Sequence, residues 1–238
     1  PPVVIFLKKI STAQIHCAVA PHLCAMNIAL LKNMIAEGWV QEQKHPTEAL
    51  FIYNYTQAAQ YERHWNEVTL ACRGLILDEN GRVIARPFGK FFNYEEHDTL
   101  EIPNENFEVY EKMDGSLGIL YHWNGQPFIA TRGSFASDQA KVANELLQTQ
   151  YAHCLPFLQA DKTYLFEIIY PENRVVVDYG SARMLVLLAI IDTNTGRELP
   201  LVDIGFPVVK KYDGLNDLQL MREIKADNQE GFVVRFKS

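Results

Sequence analysis

Apolar and polar positions alternate along most of this chain in a way that predicts β-strands. Short runs rich in β-branched and aromatic residues, bounded by turn residues, are typical of strands. Such runs occupy residues 50–55, 72–78, 83–85, 107–110, 117–121, 128–131, 164–169, 174–178, 184–191 and 231–236. The apolar residues 1–10 suit a short strand or an ordered arm.

Three other segments have patterns that predict helices, over residues 12–37, 137–150 and 218–228. Pro21 divides the first of these into two pieces, and Gly38 is placed to cap its end. Residues 56–67 suit either a helix or a loop, and the polar residues 41–48 predict a loop.

Turn residues indicate how the strands are connected. Asn80-Gly81 predicts a β-hairpin between residues 72–78 and 83–85, and Asp114-Gly115 predicts a second, central hairpin between 107–110 and 117–121. Most strands are separated by turns rather than by crossover helices, which favours antiparallel sheets flanked by helices, an α+β fold. We expect residues 1–238 to form one domain.

Composition is that of an ordinary globular protein, with 48% hydrophobic and 21% charged residues. The formal net charge of −7 gives no global basic field, although a local basic groove remains compatible with it. The four cysteines form no Cys-x-x-Cys pair, and the His and Cys residues within 16–24 match no standard zinc spacing. No leader or membrane-length apolar run is visible, so we expect a cytoplasmic protein that does not enter a membrane.

Six charged residues interrupt or end apolar strands: Arg73, Lys90, Lys112, Glu167, Glu230 and Arg235. A charge in such a position is costly unless it is paired or faces a cavity. The six therefore indicate either a polar cleft where sheet faces converge or a buried network of ion pairs. If it is a cleft, the cations suit a nucleotide phosphate, and the two glutamates suit ribose hydroxyls and Mg²⁺. The chain has no glycine-rich phosphate loop, so side chains would have to hold the phosphates.

Lys112 follows the apolar strand 107–110 and precedes the Asp114-Gly115 turn. Apolar walls would partly desolvate its amine, and a desolvated lysine is a nucleophile. The alternative is an ordinary surface lysine beside a hairpin turn.

The segment Lys112-Met113-Asp114-Gly115-Ser116 is similar to motif I, KxDG, of the covalent nucleotidyltransferases, which include DNA ligases, RNA ligases and mRNA capping enzymes. The ordered set of surrounding motifs resembles the bacteriophage T4 RNA ligase 1 family. These motifs are Ile52-Tyr53-Asn54-Tyr55, Cys72-Arg73-Gly74, Arg86-Pro87-Phe88-Gly89-Lys90-Phe91-Phe92-Asn93, Arg132-Gly133-Ser134-Phe135, Phe166-Glu167-Ile168 and Glu230-Gly231-Phe232-Val233-Val234.

The resemblance implies an adenylyltransferase domain that uses ATP and Mg²⁺ or Mn²⁺ to join RNA ends in RNA repair, with nicked tRNA as one candidate substrate. Lys112 would carry AMP, Glu167 would hold the ribose, and Glu230 would act catalytically and on the metal. The residues implied to contact the nucleotide are Tyr53, Arg73, Lys90, Asp114, Gly115, Glu167 and Val233.

In this family a Lys-x-Lys pair and a helical domain follow motif IV, and the sequence stops at Lys237-Ser238 before either. We therefore expect the chain to be the N-terminal part of a longer ligase. Two alternatives stay open: another lysyl-nucleotide transferase, of the capping or DNA ligase type, and a catalytically impaired RNA-binding remnant. The sequence does not indicate an oligomeric state.

Overall fold

A computed structural model describes residues 4–8, 26–92, 106–214 and 230–236. The strands are β1 (Val4–Lys8), β2 (Val40–Lys44), β3 (Leu50–Tyr55), β4 (Arg73–Asp78), β5 (Val83–Ala85), β6 (Phe107–Glu111), β7 (Ser116–Trp123), β8 (Gln126–Thr131), β9 (Lys162–Ile169), β10 (Met184–Asp192), β11 (Glu198–Leu199), β12 (Lys211–Tyr212) and β13 (Gly231–Phe236). The helices are α1 (Ile28–Ala36), α2 (Gln57–Tyr61), α3 (Glu67–Ala71) and α4 (Asp138–Gln148), with 3-10 turns at Ala152–Phe157 and Pro171–Asn173.

These strands form three sheets. The first has the order β2-β3-β4-β5, the second β11-β10-β9-β7-β8, and the third β1-β13-β6-β12. All pairings between these strands are antiparallel. The predicted mixed class with antiparallel sheets and few helices is therefore confirmed.

Buried apolar residues hold the sheets and helices together in layers. One cluster, which includes Ile52 and Leu165, lies between the first and second sheets. A second packs α1 and α3 against the first sheet, and a third packs α4 against the second. A fourth, with Val186 and Val233, joins the second and third sheets. The third sheet thus meets the second on the side where the site described below lies.

Local signals in the sequence explain several boundaries. After α1, the N–H groups of Gly38 and Trp39 donate to the carbonyls of Ile35 (3.0 Å) and Met34 (2.8 Å), with Gly38 at φ +81°. These two hydrogen bonds form the glycine-dependent helix end that the sequence predicts. The predicted hairpin between β4 and β5 is also confirmed.

The predicted central hairpin is wrong. Strand β6 pairs with β12 and β13 in the third sheet, whereas β7 pairs with β8 and β9 in the second. The connection at residues 112–115 therefore carries the chain from one sheet to another. A local turn signal could not reveal this, because the partners of β6 lie far along the chain.

Two shorter predictions are wrong, one of them only in part. Residues 41–44 of the predicted loop 41–48 belong to β2, an edge strand whose side chains beyond Val40 are exposed, and residues 45–48 form a loop as predicted. The strand predicted over residues 174–178 is irregular, because the N–H groups of Val176 and Val177 donate to the Asp114 carboxylate rather than to a neighbouring strand. Residues 12–25 of the helical segment predicted over 12–37, the helix predicted over 218–228, and the His and Cys residues within 16–24 lie outside the described residues.

Across the described ranges, none of the helices combines the length and the apolar character needed to cross a membrane. The described cysteines, Cys72 and Cys154, are buried free thiols.

Candidate active site

A cavity of about 640 Å³ opens where the three sheets approach one another. Its walls come from β3 and β4, from the irregular segment after β5, from the β6–β7 connection, and from β9, β10 and β13. The six charged residues that the sequence singles out all line it: Arg73, Lys90, Lys112, Glu167, Glu230 and Arg235. The prediction that these charges converge on a polar cleft is confirmed.

Lys112 lies on the β6–β7 connection, at the cavity wall. Its backbone N–H donates to the carbonyl of Gly231 (3.0 Å), which fixes the connection against β13. Its ammonium forms an ion pair with the Glu230 carboxylate, and the two side chains are 22% and 12% exposed. The sequence predicts apolar walls around this amine, and the structure adds a carboxylate in direct contact with it.

Asp114 lines the cavity and also holds the turn after Lys112 in place. Its carboxylate accepts the backbone N–H groups of Val176 (2.5 Å) and Val177 (2.6 Å), and its own N–H donates to the hydroxyl of Tyr179 (3.0 Å). These bonds tie the β6–β7 connection to the segment after β9. Asp114 thereby helps to fix the position of Lys112.

Gly115 lets the same turn lie directly against β9. A Cβ atom at this position would lie 2.6 Å from the carbonyl oxygen of Ile168 and 3.2 Å from Cγ of Glu167. The first contact is with backbone, which cannot move aside cheaply. The close approach also brings the Gly115 N–H near enough to the Glu167 carboxylate to favour its charged form.

Glu167 lies on β9 at the cavity wall, and its carboxylate has an unusual protonation equilibrium. Burial is the main cause that raises its pKa to about 8. The negative charge of Glu230 acts in the same direction, while Lys112, the Gly115 N–H and Arg73 oppose it. Perturbed carboxylates of this kind concentrate at functional sites.

Arg73 and Lys90 bring positive charge to the opposite wall. Burial lowers the pKa of Arg73, and the nearby charge of Arg132 acts in the same direction. Nη1 of Arg73 is buried without a hydrogen-bond partner. Lys90 is buried, its ammonium donates to the Phe91 carbonyl, and it lies over the ring of Phe92. Closely spaced cations suit a ligand with several negative charges.

The structure does not bring Tyr53 to the cavity. Its ring is in the core beneath α1 and α3, and its hydroxyl donates to Glu42 (2.8 Å). Tyr55 lines the cavity instead, with the Arg132 guanidinium 5.6 Å from its ring centre. Tyr55 is the last residue of β3, two residues beyond Tyr53, and it is this strand end that reaches the cavity.

Val233 contributes to an apolar wall at the β13 side of the cavity, together with Phe88, Phe91, Tyr110, Leu188 and Val209. Arg235, two residues further along β13, forms an ion pair with Glu198 and donates from Nη2 to the Leu188 carbonyl (2.9 Å). Its guanidinium also lies 4.3 Å from the ring centre of Tyr110. The cleft and the ion-pair network, which the sequence offered as alternatives, therefore coexist.

The two glutamates at this cavity are a suitable donor set for a divalent cation. Glu230 is close enough to Glu167 for its charge to raise the pKa of Glu167, and a cation between them would relieve that repulsion. Mg²⁺ is often held by one or two carboxylates together with water and substrate phosphates. Within the residues that the structure covers, no cluster of three or more His, Cys, Asp or Glu side chains forms a complete protein cage for a metal.

Sequence reasoning missed three residues of this region. Tyr55 was overlooked because the sequence does not show which tyrosine of the Tyr-Asn-Tyr element lies at the strand end that reaches the cavity. Arg132 lines the cavity on the turn after β8, and its place in the quoted Arg-Gly-Ser segment was the available signal. Glu198 had no signal, because its role depends on pairing with Arg235 across two sheets.

Comparison with known proteins agrees with this site. A family model described as RNA ligase, of the T4 RNA ligase 1 type, matches residues 71–238, which include both glutamates and the central lysine. The chain belongs to the T4 RNA ligase 1-like family of RNA ligases.

Individual relatives carry matching names. A protein of Autographa californica nuclear polyhedrosis virus, provisionally named bifunctional polynucleotide kinase/RNA ligase, is 30% identical over 87% of this chain and 34% of its own length. A protein of Thermovibrio ammonificans, provisionally named RNA ligase, is 31% identical over 68% of this chain and 46% of its own length. The RNA ligase of Rhodothermus phage RM378 is 26% identical over 58% of this chain and 40% of its own length. The chain thus spans between a third and a half of the length of these relatives.

Proposed function

We propose that this chain is the adenylyltransferase domain of an ATP-dependent RNA ligase that joins a 3′-hydroxyl to a 5′-phosphate. Family membership supports RNA ligation, and one observation supports the covalent route: Lys112 stands at the wall of a cavity that also gathers two glutamates and several cations. The proposed location is the cytoplasm, and the proposed substrates are RNA ends, including nicked tRNA.

The first step would take place on Lys112. The ion pair with Glu230 must open, and the amine must lose a proton, before its lone pair can attack. Nζ then forms a bond to the α-phosphorus of ATP, and the bond from that phosphorus to the bridging oxygen breaks. Pyrophosphate leaves, and AMP remains on the lysine as a phosphoramidate. Dividing one condensation into covalent steps lowers the barrier that each step must cross.

The surrounding residues suit the parts of the nucleotide. The carboxyl group of Glu167 would form hydrogen bonds with the ribose hydroxyls, and the apolar wall that includes Val233 would face the base. Arg73 and Lys90 would offset negative charge on the phosphates, and preorganised charges of this kind stabilise a transition state strongly. Mg²⁺ or Mn²⁺ held by Glu230 would supply further neutralisation of phosphate charge.

The later steps would transfer AMP from the lysine to an RNA 5′-phosphate, which breaks the N–P bond and returns the amine. The RNA 3′-hydroxyl would then attack the activated 5′-phosphate and release AMP. Asp114 and Gly115 would act throughout by holding the Lys112 connection against β9.

Intact-mass measurement after incubation with Mg²⁺ and ATP, or with Mg²⁺ and GTP, tests this proposal. We expect a gain of one adenylyl group with ATP, mapped to the peptide that contains Lys112. A nicked RNA substrate should discharge the adduct, and a nicked DNA duplex should not. An adduct formed only with GTP would indicate a capping-type enzyme, and RNA binding without any adduct would indicate a binding remnant.

A further inference from the structure

Lys90 reaches the cavity from a segment that has no regular secondary structure. The segment follows β5, and Lys90 is only 6% exposed. Its backbone N–H donates to the Leu70 carbonyl (2.7 Å), within α3. The side chain of a buried lysine needs contacts that replace the water lost by its ammonium group.

Three aromatic rings surround that ammonium. Nζ of Lys90 lies 4.8 Å from the ring centre of Phe92, 5.5 Å from that of Trp65 and 5.9 Å from that of Tyr55. The faces of aromatic rings attract cations at these distances, and the attraction is stronger when the cation is desolvated. We call Tyr55, Trp65 and Phe92 the aromatic cage.

Trp65 contacts both of the other rings of the aromatic cage. Its ring meets Tyr55 edge to face, with centres 5.2 Å apart at 90°, and meets Phe92 in the same way at 5.4 Å and 85°. Edge-to-face contacts are a favourable arrangement for aromatic pairs. Removing the Trp65 ring would therefore remove a packing partner of both other rings. It would also remove one of the three aromatic faces near the ammonium.

The same helix fixes both the cage and the lysine. Trp65 directly precedes Asn66, whose side chain caps α3 through the N–H groups of Val68 and Thr69, with the Thr69 hydroxyl completing the capping box. The far end of this short helix holds the Lys90 backbone through Leu70. The distance between ring and ammonium is thus set by one rigid element.

From this geometry we infer that Trp65 is a positioning residue for nucleotide binding. The ring itself is not part of the cavity lining, whereas Tyr55 and Lys90 are. It acts through Lys90 by holding the buried ammonium in place at the cavity wall. This inference rests on the proposed function, in which Lys90 contacts the ATP phosphates.

The test compares Trp65→Leu with Trp65→Phe, and uses Trp39→Leu as a matched control. Trp39 is another half-buried tryptophan, which stacks on His64 and is not one of the three rings around the Lys90 ammonium. Two quantities are measured in each variant: the KM and kcat of adduct formation with ATP, and the rate at which an amine-acylating reagent modifies Lys90, followed by peptide mass spectrometry without ATP.

We expect Trp65→Leu to raise KM for ATP about 3–30-fold while kcat changes less than about 3-fold, because the cation–ring attraction acts on binding. The Lys90 modification rate should rise several-fold. Trp65→Phe should restore most of both quantities, and Trp39→Leu should leave both near the wild-type values.

An unchanged KM in Trp65→Leu, an equal rise in Trp39→Leu, or a fall in kcat alone would overturn the inference. The absence of any ATP adduct in the wild-type protein would refute the proposed function instead. In that case the Lys90 modification rates alone decide whether Trp65 positions the lysine.

Discussion

The Lys112 ammonium and the Glu230 carboxylate meet in an ion pair where the β6–β7 connection passes the start of β13. The two residues are far apart in the sequence. The hydrogen bond from the Lys112 backbone N–H to the Gly231 carbonyl brings them together. The pair keeps the amine at the cavity wall. Glu230 therefore helps to set the position of the proposed nucleophile.

Replacing Lys112 by alanine should abolish the adenylyl adduct, because no other group would supply the attacking lone pair. The fold should survive at a cost of roughly 1–3 kcal/mol, because the Glu230 carboxylate, only 12% exposed, loses its partner. Intact mass and urea unfolding measure the two effects. Lys141→Ala, on the exposed face of α4, is the control and should keep full adduct formation. A wild-type adduct level in the Lys112 variant would refute the assignment.

Glu167→Gln should make the protein more stable at high pH. The folded-state pKa of about 8 lies above the ordinary value of 4.5, so between these values the folded protein retains a proton that the unfolded chain has lost. Stability conferred by that proton is full below about pH 4.5 and disappears as pH rises to about 8. Wild type and variant should therefore be similar near pH 4.5, and the variant should be roughly 2–4 kcal/mol more stable at pH 8.5.

Urea unfolding at the two pH values measures this difference. The same variant should lose most adduct formation, because the glutamine amide has one acceptor oxygen for the ribose hydroxyls where the carboxyl group has two oxygens. Equal wild-type and variant stabilities at pH 8.5 would show that burial does not perturb Glu167 as the geometry indicates. Full activity in the variant would remove Glu167 from the proposed nucleotide site.

Asp114→Ala should free the segment after β9. The change removes two charge-assisted bonds to the backbone N–H groups of Val176 and Val177, and each such bond is worth roughly 1.5–3 kcal/mol. Amide hydrogen exchange should become faster across residues 174–179, with a smaller effect in Asp114→Asn, whose side-chain oxygen still accepts. Exchange that stays slow in the alanine variant would contradict this account of the turn.

The sequence predicts the charges of the site better than the path of the chain. A charged side chain in an apolar strand must find a cavity or a partner, and this constraint correctly placed Arg73, Lys90 and Glu167 at one cleft. Pattern and turn residues also gave most strands correctly. In contrast, the Asp114-Gly115 signal is local, whereas the partners of β6 are set by packing against distant strands.

Tyr53 shows a second limit. Alternation puts Tyr53 and Tyr55 on the same face of β3, and only Tyr55, the last residue of the strand, reaches the cavity. Which part of a strand meets the cavity depends on how the sheets pack. For the same reason, nothing in the composition of residues 195–200 marks Glu198 as the partner of a buried arginine.

The Arg235–Glu198 pair should be strongly coupled, because it bridges the second and third sheets beside the cavity with side chains only 9% and 16% exposed. Arg235→Met would leave the Glu198 carboxylate, whose pKa burial already raises, without its counter-charge, and should cost about 3–5 kcal/mol at pH 7. The double change Arg235→Met with Glu198→Leu removes both charges and should cost less than the single change. Urea unfolding of the single and double variants gives the coupling energy. If the costs simply add, Arg235 acts by packing on Tyr110 alone, and the bridge does not determine how the two sheets are held at the site.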